Sequence, residues 1–322
     1  MINASRWTVR ATSLLAAAAT CAALAGCGLG AGDEVGGVHL RVTDDFGAKV
    51  LTEPKTPTQA GADTVMRLLQ RNAKVETRYG GGFVQSIDGL AGKAAAGQQV
   101  DWFFYVNGVL AGRGAASWRV AKGERIWWDR HRWDLAQISA VVGDYPQPMK
   151  DGHDGKWAGA QLDCRAATSI CDTAREHLED AGVKVTSGPA SAAGGRTRVI
   201  VGTWPRIKDA AKEVAQLAGG PAVSGVFAKV GDDGTVAPLD EAGRPVASAA
   251  VGTRDDALVA ALQTGDASPV WVVTGRDERA AASAARALDP DALAGRAAVI
   301  VRDDSALALP LRSGDVGRKV SQ

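Results

Sequence analysis

The residues with the clearest capacity for chemistry are aromatic side chains concentrated between positions 101 and 133. Five of the nine tryptophans of this 322-residue chain lie in that stretch: Trp102, Trp118, Trp127, Trp128 and Trp133. Aromatic rings offer flat apolar surface that suits planar ligands, sugar-like ligands and protein partners. At least half of these rings should fill a core, and their excess predicts a binding surface. We expect Trp102, Tyr105, Asn107, Trp127 and Trp128 to contact a ligand.

A β-hairpin must position these rings. Residues 102–106 are aromatic or apolar and are followed by Asn107-Gly108, and both residues of the favoured two-residue turn need positive φ. Successive side chains of a strand point to opposite faces, so the even-numbered rings share one side and the odd-numbered rings the other. Trp127 and Trp128 are likewise expected on opposite sides of a later strand. One face can fill a core, and the other must meet a second domain, a ligand or a partner.

Motifs for catalysis are not found in this sequence. It contains neither a Gly-x-Ser-x-Gly elbow nor a His-Glu-x-x-His pair, its four histidines are scattered, and its paired aspartates lie in turn-like contexts. We therefore expect no catalytic residue, no metal site and no resident cofactor. The 37 basic and 36 acidic residues leave a formal charge of +1, which gives no support to a nucleic-acid partner.

The N-terminus reads as a targeting segment. Arg6 and Arg10 precede a short apolar stretch over residues 13–25, which ends in Gly26-Cys27. This pattern resembles the bacterial lipoprotein signal. The resemblance implies cleavage before Cys27, a lipid carrying acyl chains such as palmitate on its sulfur, and a protein held at the outer face of the cell membrane. Residues 27–36 would then form a Gly-rich tether. The alternative is an ordinary secretory peptide with an incidental cysteine.

Residues 37–135 predict an α+β domain. The order is strand, strand, one helix capped by Asp63 or Thr64, then several strands. Four stretches resemble the transcobalamin-like C-terminal domain family, over about residues 36–134. These stretches are Thr64-Val65-Met66-Arg67-Leu68-Leu69, Phe83-Val84-Gln85-Ser86-Ile87-Asp88-Gly89, Trp102-Phe103-Phe104-Tyr105-Val106-Asn107-Gly108 and Gly123-Glu124-Arg125-Ile126-Trp127-Trp128. The resemblance implies a β-grasp-like fold and makes cobalamin a possible bound ligand. In vitamin B12 carriers this domain caps a cobalamin that also rests on a helical barrel, and nothing in this sequence resembles that barrel.

Residues 136–312 predict an α/β domain with a mainly parallel sheet. Apolar β-branched runs alternate with helical patterns. We expect strands over residues 138–142, 198–203, 269–275 and 297–301, and helices over 172–181, 209–217, 255–262 and 278–288. Ligands of open α/β sheets bind where strands end, which makes Trp204 and Arg206 candidate contacts. Ordinary turn chemistry uses the same residues. Residues 313–322 are expected to be a disordered tail.

Cys164 and Cys171 remain once Cys21 and Cys27 are set aside. Outside the cytoplasm such a pair usually forms a disulfide. The alternative, a metal site with His153 or His177, lacks the usual spacing of zinc-binding cysteines.

These features predict a cell-surface lipoprotein that acts as a non-catalytic binding protein, possibly capturing cobalamin or another corrinoid-like ligand for uptake. The alternative is a protein–protein interaction module at the cell surface, with a transporter or surface protein as partner. A large planar ligand must be enclosed on both sides for high affinity. We therefore expect an interface between the two domains, with tryptophans 102–133 on one side and the loops near Trp204 or Trp271 on the other.

Overall fold

A computed structural model describes residues 36–95, 98–246, 256–315 and 317–320. The expected signal segment, Cys27 and all but the last residue of the expected tether lie outside the described residues. Within the described residues, no helix combines the length and the apolar character needed to cross a membrane.

The N-terminal part is a mixed sheet with one helix, as expected for a β-grasp-like fold. Its central pair is parallel, and the flanking pairings are antiparallel. In spatial order the strands are Lys49–Thr52, His39–Asp44, Arg125–Arg132, Gln98–Val106 and Lys93–Ala95, with Val109–Leu110 paired to Gln98–Val106. Asn107 and Gly108 have φ of 52° and 75°, so the predicted hairpin turn is confirmed.

The helix Val65–Asn72 covers one face of this sheet. Thr64 caps it, because its side chain accepts a hydrogen bond from the Arg67 amide. Its buried face carries Val65, Met66, Leu68 and Leu69, which form the apolar stripe of an amphipathic helix. A small antiparallel sheet lies beyond the helix, with strands Val75–Arg78, Phe83–Ile87 and Leu90–Ala91.

The C-terminal part is built on an eight-stranded sheet. Its strands in spatial order are Val185–Ser187, Trp157–Arg165, Arg196–Thr203, Val270–Gly275, Ala257–Leu262, Ala298–Arg302, Ser305–Leu309 and Arg318–Lys319. The first three pairings are parallel and the other four are antiparallel. The sheet is thus mixed rather than mainly parallel. Ala257–Leu262 enters it antiparallel to Val270–Gly275, and the strands beyond continue as a meander.

Short helices and a hairpin complete this part. The α-helices are Thr168–Asp180, Trp204–Ile207, Lys212–Ala215, Pro221–Ser224, Glu278–Arg286 and Pro290–Leu293. Turns of 3₁₀ helix occur here at Ala190–Ala192 and Gln216–Gly219, and the hairpin pairs Ala228–Val230 with Val236–Pro238. A further 3₁₀ turn, Tyr79–Gly81, belongs to the N-terminal part. Asp277 caps the helix Glu278–Arg286, because its side chain accepts a hydrogen bond from the Ala280 amide.

Three sequence-based expectations about this part are wrong. Residues 257–262 form a fully buried strand and not a helix, because a short apolar run carries no period that separates the two structures. Residues 138–142 form a buried irregular segment, whose backbone bonds to the hairpin turn at Gly108 and to Ala297. Arg318–Lys319 pairs with Ser305–Leu309, so this piece of the expected tail is ordered.

The disulfide between Cys164 and Cys171 is present, with Cα atoms 5.7 Å apart. It joins the end of Trp157–Arg165 to the first turn of Thr168–Asp180. The helix therefore begins earlier than the expected start at Asp172, and Cys171 lies inside it.

The N-terminal sheet is buried on both faces, in two different cores. Trp102, Val106 and Trp128 pack with the helix Val65–Asn72. Tyr105 and Trp127 pack in a second core with residues of the C-terminal part, including Trp204 and Phe227. The predicted alternation of faces is confirmed, and the two parts of the chain share one continuous core.

A buried carboxylate, Asp144, holds the hairpin turn against the C-terminal part. Its Oδ2 accepts a hydrogen bond of 2.9 Å from the Gly108 amide. Burial raises the pKa of Asp144 to about 6, although the positive charges of Arg125 and Arg41 oppose the shift. The folded protein therefore binds the Asp144 proton more tightly than the unfolded chain, whose aspartates have a pKa of about 3.9.

Asp144→Asn should change how stability depends on pH. The protonated carboxyl stabilises the native fold below about pH 4, and this contribution is lost as pH rises through 6. Relative to the native protein, the variant should gain on the order of 3 kcal/mol between pH 4 and pH 7, because the amide stays neutral. Urea unfolding at several pH values measures this difference. Asp232→Asn, at an exposed aspartate, is the control. A difference that does not vary with pH would contradict the assignment.

Candidate functional site

The structure places the predicted contact residues mainly inside the protein. Tyr105, Trp127 and Trp204 lie in the shared core, and Trp102 and Trp128 lie in the core under the helix. Asn107 is buried in the hairpin turn, where its side chain donates to the Gly152 carbonyl and accepts from the Arg125 amide. Arg206 is exposed and pairs with Glu278 at 2.9 Å. Of this set, Trp102 also reaches a surface hollow.

That hollow, which we name the aromatic groove, has a volume of about 270 Å³. It lies where the sheet surface meets the segment that leads into the C-terminal part. Its lining is mostly aromatic and apolar, and three of its residues are polar: Asp101, His131 and Gln137. The other lining residues are Phe83, Trp102, Phe103, Trp133 and Ile138. Concave, aromatic surface with a few convergent polar groups is the usual character of a small-molecule site.

Two exposed rings border the groove. Phe83 and Trp133 each keep 41% of their surface accessible. Trp133 is held in place because its Nε1 donates to Asp101 Oδ2 at 3.0 Å and its ring meets Phe103 edge to face, with centroids 6.5 Å apart. Tyr79, which is 86% exposed, lies edge-on to Phe83 and extends the aromatic surface beyond the rim.

A polar hollow of similar volume adjoins the groove. The two share Phe83 and Asp101, and the second is also lined by Arg78, Gln85, Lys93 and Gln99. Together they offer a ligand an apolar end and an end rich in hydrogen-bond donors.

His131 is held in the groove wall by a buried carboxylate. Its Nδ1 lies 2.8 Å from Asp129 Oδ2. The ring stacks on Phe103 at 4.7 Å and packs against Phe46 at 4.9 Å. With Nδ1 and the ring faces occupied, the edge that carries Nε2 is the part left to border the groove. In the neutral tautomer that donates from Nδ1 to this carboxylate, Nε2 carries a lone pair, which can accept a hydrogen bond or bind a metal centre carried by a ligand.

Asp129 is satisfied by several further donors. Its carboxylate accepts from the amides of Phe46 and Gly47, at 3.0 and 2.9 Å, and from the Thr43 hydroxyl. That hydroxyl accepts in turn from Trp127 Nε1 at 2.6 Å. Phe46 has φ of 58°, which is uncommon for a large side chain. The carboxylate thus stabilises a left-handed turn that directs Phe46 against His131.

The predicted strand-end site of the C-terminal part is closed by packing. Thr274 is fully buried and donates to the Gly202 carbonyl. A side chain at Gly202 would meet Ile207 and the Arg165 carbonyl, and one at Gly275 would meet Ala280. Turn chemistry therefore accounts for these strand ends.

The predicted interface between the two parts exists, but it is filled. Trp127 and Trp204 belong to one packed cluster, whereas Trp271 lies in the core on the opposite side of the large sheet. Trp127 and Trp204, which the sequence places on either side of a ligand, instead pack in the same buried cluster. Open aromatic surface is found at the edge of this junction, in the groove.

Comparison with known proteins bears on this N-terminal part. Residues 62–132 match the family model of a domain of unknown function, DUF4430. It is a domain family found in transcobalamin-like proteins. The match begins just before the helix and ends with the strand that carries His131, so it includes most of the groove. A search of curated proteins found none that matches the chain.

Sequence reasoning missed Phe83, Asp101 and His131 as lining residues. One available signal was the alternation along Arg125–Arg132, which places Trp127, Asp129 and His131 on the same face. A carboxylate two residues from a histidine on one face of a strand can form a hydrogen bond with it, as Asp129 does with His131.

Asp129→Asn should destabilise the protein markedly. The side-chain amide of the variant would place its own N–H group against the backbone amides and the hydroxyl that now donate to the buried carboxylate. We therefore expect a loss of about 2–4 kcal/mol in the free energy of unfolding. Denaturant unfolding measures it. Asp134→Asn is the matched control, because Asp134 forms a more exposed pair with Arg132 and such pairs contribute about 0–1 kcal/mol. Equal losses in the two variants would contradict the role assigned to Asp129.

Proposed function

We propose that this protein is a non-catalytic binding protein, which captures a flat, largely apolar ligand in the aromatic groove. The observation that carries the proposal is the pair of exposed rings, Phe83 and Trp133, at a concave surface whose wall holds an oriented histidine. Fully burying an exposed aromatic side chain contributes about 1.5–3 kcal/mol, so covering the 41% of each ring that is still exposed contributes about 1 kcal/mol. Two such rings already stand at the rim, so a ligand gains this energy without rearrangement of the core.

The polar groups of the groove narrow the ligand class. Asp101 is a carboxylate whose oxygens accept hydrogen bonds, as its contact with Trp133 Nε1 shows, so it favours ligands with hydrogen-bond donors over ligands with carboxylates at this end. The adjoining hollow supplies Arg78, Lys93 and two glutamines for carbonyl or phosphate oxygens. A ring system that carries amide groups, with a polar extension, meets both requirements.

A corrinoid is the first ligand to test. It is a planar macrocycle with amide side chains, and the match to a domain family found in transcobalamin-like proteins supports the choice. The groove encloses only part of so large a molecule, because its volume of about 270 Å³ is slightly below the range of about 300–1,000 Å³ that is typical of ligand pockets. We therefore propose one-sided binding of modest affinity, which a second protein could complete during uptake.

Calorimetric titration of the full chain in mild detergent with cyanocobalamin tests this proposal. Binding should be detected at tens of micromolar, and Trp133→Ala should weaken it about fivefold, because one ring contact is lost. Val223→Ala is the control, since Val223 is exposed on a helix that does not line the groove. Absence of heat would remove corrinoids from the candidates. If Trp133→Ala binds cyanocobalamin as the native protein does, the aromatic groove is excluded as the binding site.

We also propose that lipid on Cys27 holds the protein at the outer face of the membrane, which places the groove where an external ligand is captured. The support is the basic, apolar and Gly-Cys pattern of residues 6–27. Cells that express the protein should incorporate labelled palmitate into it, and Cys27→Ala should abolish the label and release the protein from membranes. Cys21→Ala, within the same apolar segment, should retain the label. Label that persists in Cys27→Ala would contradict the anchor.

A protein partner is the second candidate function. The observation in its favour is Tyr79, which projects from a loop beside Phe83 with 86% of its surface exposed. A partner would cover Tyr79 together with the groove rim, whereas a small ligand would leave it open. Chemical crosslinking in membranes, compared between the native protein and Tyr79→Ala, separates the two. A crosslinked partner that disappears in the variant would favour the interaction module.

A further inference from the structure

A second hollow lies at the junction of the two parts, away from the aromatic groove. Its volume is about 260 Å³. Three segments line it: the one that follows the hairpin turn, the tight turn over residues 153–157, and the residues after the strand Ala257–Leu262. We name this hollow the junction crevice. It shares no lining residue with the aromatic groove.

A ladder of stacked groups forms one wall of the crevice. The rings of Trp157 and His153 are nearly parallel, with centroids 5.4 Å apart. His153 packs in turn on Trp118 at 5.0 Å, and the Arg113 guanidinium lies 3.9 Å from the centre of the Trp118 ring. Trp118 and His153 are buried, but Trp157 is only half-buried. Trp157 therefore ends the ladder, with one face on His153 and surface still open to the crevice.

The backbone is strained where it presents this ring. Trp157 has φ of 66°, a conformation that is a genuine outlier for a bulky residue. The turn is held by paired hydrogen bonds between the backbones of His153 and Lys156. The pairing with the strand Arg196–Thr203 shifts register between Trp157 and Ala160, so an irregularity of the bulge type begins at this residue, and the ring remains partly open. Such conformations persist where the placement of a side chain serves a site.

The charged side chains that line the junction crevice have no net charge. Arg113 and Asp154 form a bidentate pair at 2.8 and 2.9 Å, and each keeps more than 40% of its side chain exposed. Lys156 and Asp266 add one charge of each sign, and Gln263 adds an amide. An anionic or cationic ligand finds no net complementary charge here, and a wholly apolar ligand would leave these groups without water. A neutral ligand with many hydroxyl groups fits the lining, because guanidinium, carboxylate and amide groups all bond to hydroxyls.

We propose that the junction crevice binds a neutral saccharide unit. Its ring stacks on the open surface of Trp157, and its hydroxyls bond to the outward-facing atoms of the Arg113–Asp154 pair. The Arg113 guanidinium is already ordered by Asp154 and by the Trp118 ring, so little side-chain freedom is lost on binding. This site is separate from the aromatic groove, and neither proposal depends on the other.

Saturation-transfer NMR of the full chain with maltotriose, cellotriose and chitotriose tests the proposal. At least one trisaccharide should bind at millimolar concentration, and Trp157→Gly should weaken that binding at least tenfold. Glycine accepts the positive φ, so this variant should fold, which circular dichroism verifies. Trp157→Phe keeps a ring and should lose less than tenfold.

Val223→Ala, remote from the crevice lining, should bind as the native protein does. The proposal is overturned if none of the three sugars binds, or if Trp157→Gly binds as tightly as the native chain. Either result leaves the corrinoid titration unaffected, because Trp157 does not line the aromatic groove.

Discussion

The structure depends on a sheet that is apolar on both faces. Trp127 and Trp128 are consecutive, so they point to opposite sides of the strand Arg125–Arg132, and each is buried in a different core. The helix Val65–Asn72 covers only one of these faces. The other would expose Tyr105 and Trp127 to water unless the C-terminal part covered it. Packing between the two parts of the chain is therefore a condition of the N-terminal fold and not an addition to it.

Covering that second face brings a carboxylate into the junction. Asp129 lies between Trp127 and His131 on the same face of the strand, and burial of an ion is unfavourable unless donors surround it. Backbone amides of the turn at Phe46 and Gly47, the Thr43 hydroxyl and the His131 ring supply these donors. The same interactions orient His131 toward the groove. The ordering of the groove wall is thus a consequence of how the protein accommodates a buried charge.

The sequence predicted what depends on neighbours along the chain. The Asn107-Gly108 turn, the alternation of strand faces and the capped helices follow from local spacing, and all are present. The disulfide, which follows from an isolated cysteine pair outside the cytoplasm, is also present. The sequence predicts a helix over residues 255–262, whereas residues 257–262 form a strand, because six apolar residues fit either structure. The groove was missed because Phe83, Asp101, His131 and Ile138 come together only in the tertiary fold. Exposure was misjudged for Trp127, because the residues that bury it come from the C-terminal part.

The filled junction between the two parts also limits where a ligand can bind. Phe46, Tyr105, Trp127 and Trp204 occupy the space that a cleft between two closing domains would need. Opening that space would expose several large rings to water, at about 1.5–3 kcal/mol for each. The two hollows instead lie at the margins of this core, where Trp133 and Trp157 are already presented at the surface. The binding proposed at either hollow would therefore use a preformed surface, and its selectivity would rest on the fixed polar groups around each ring rather than on closure of one part of the chain over the other.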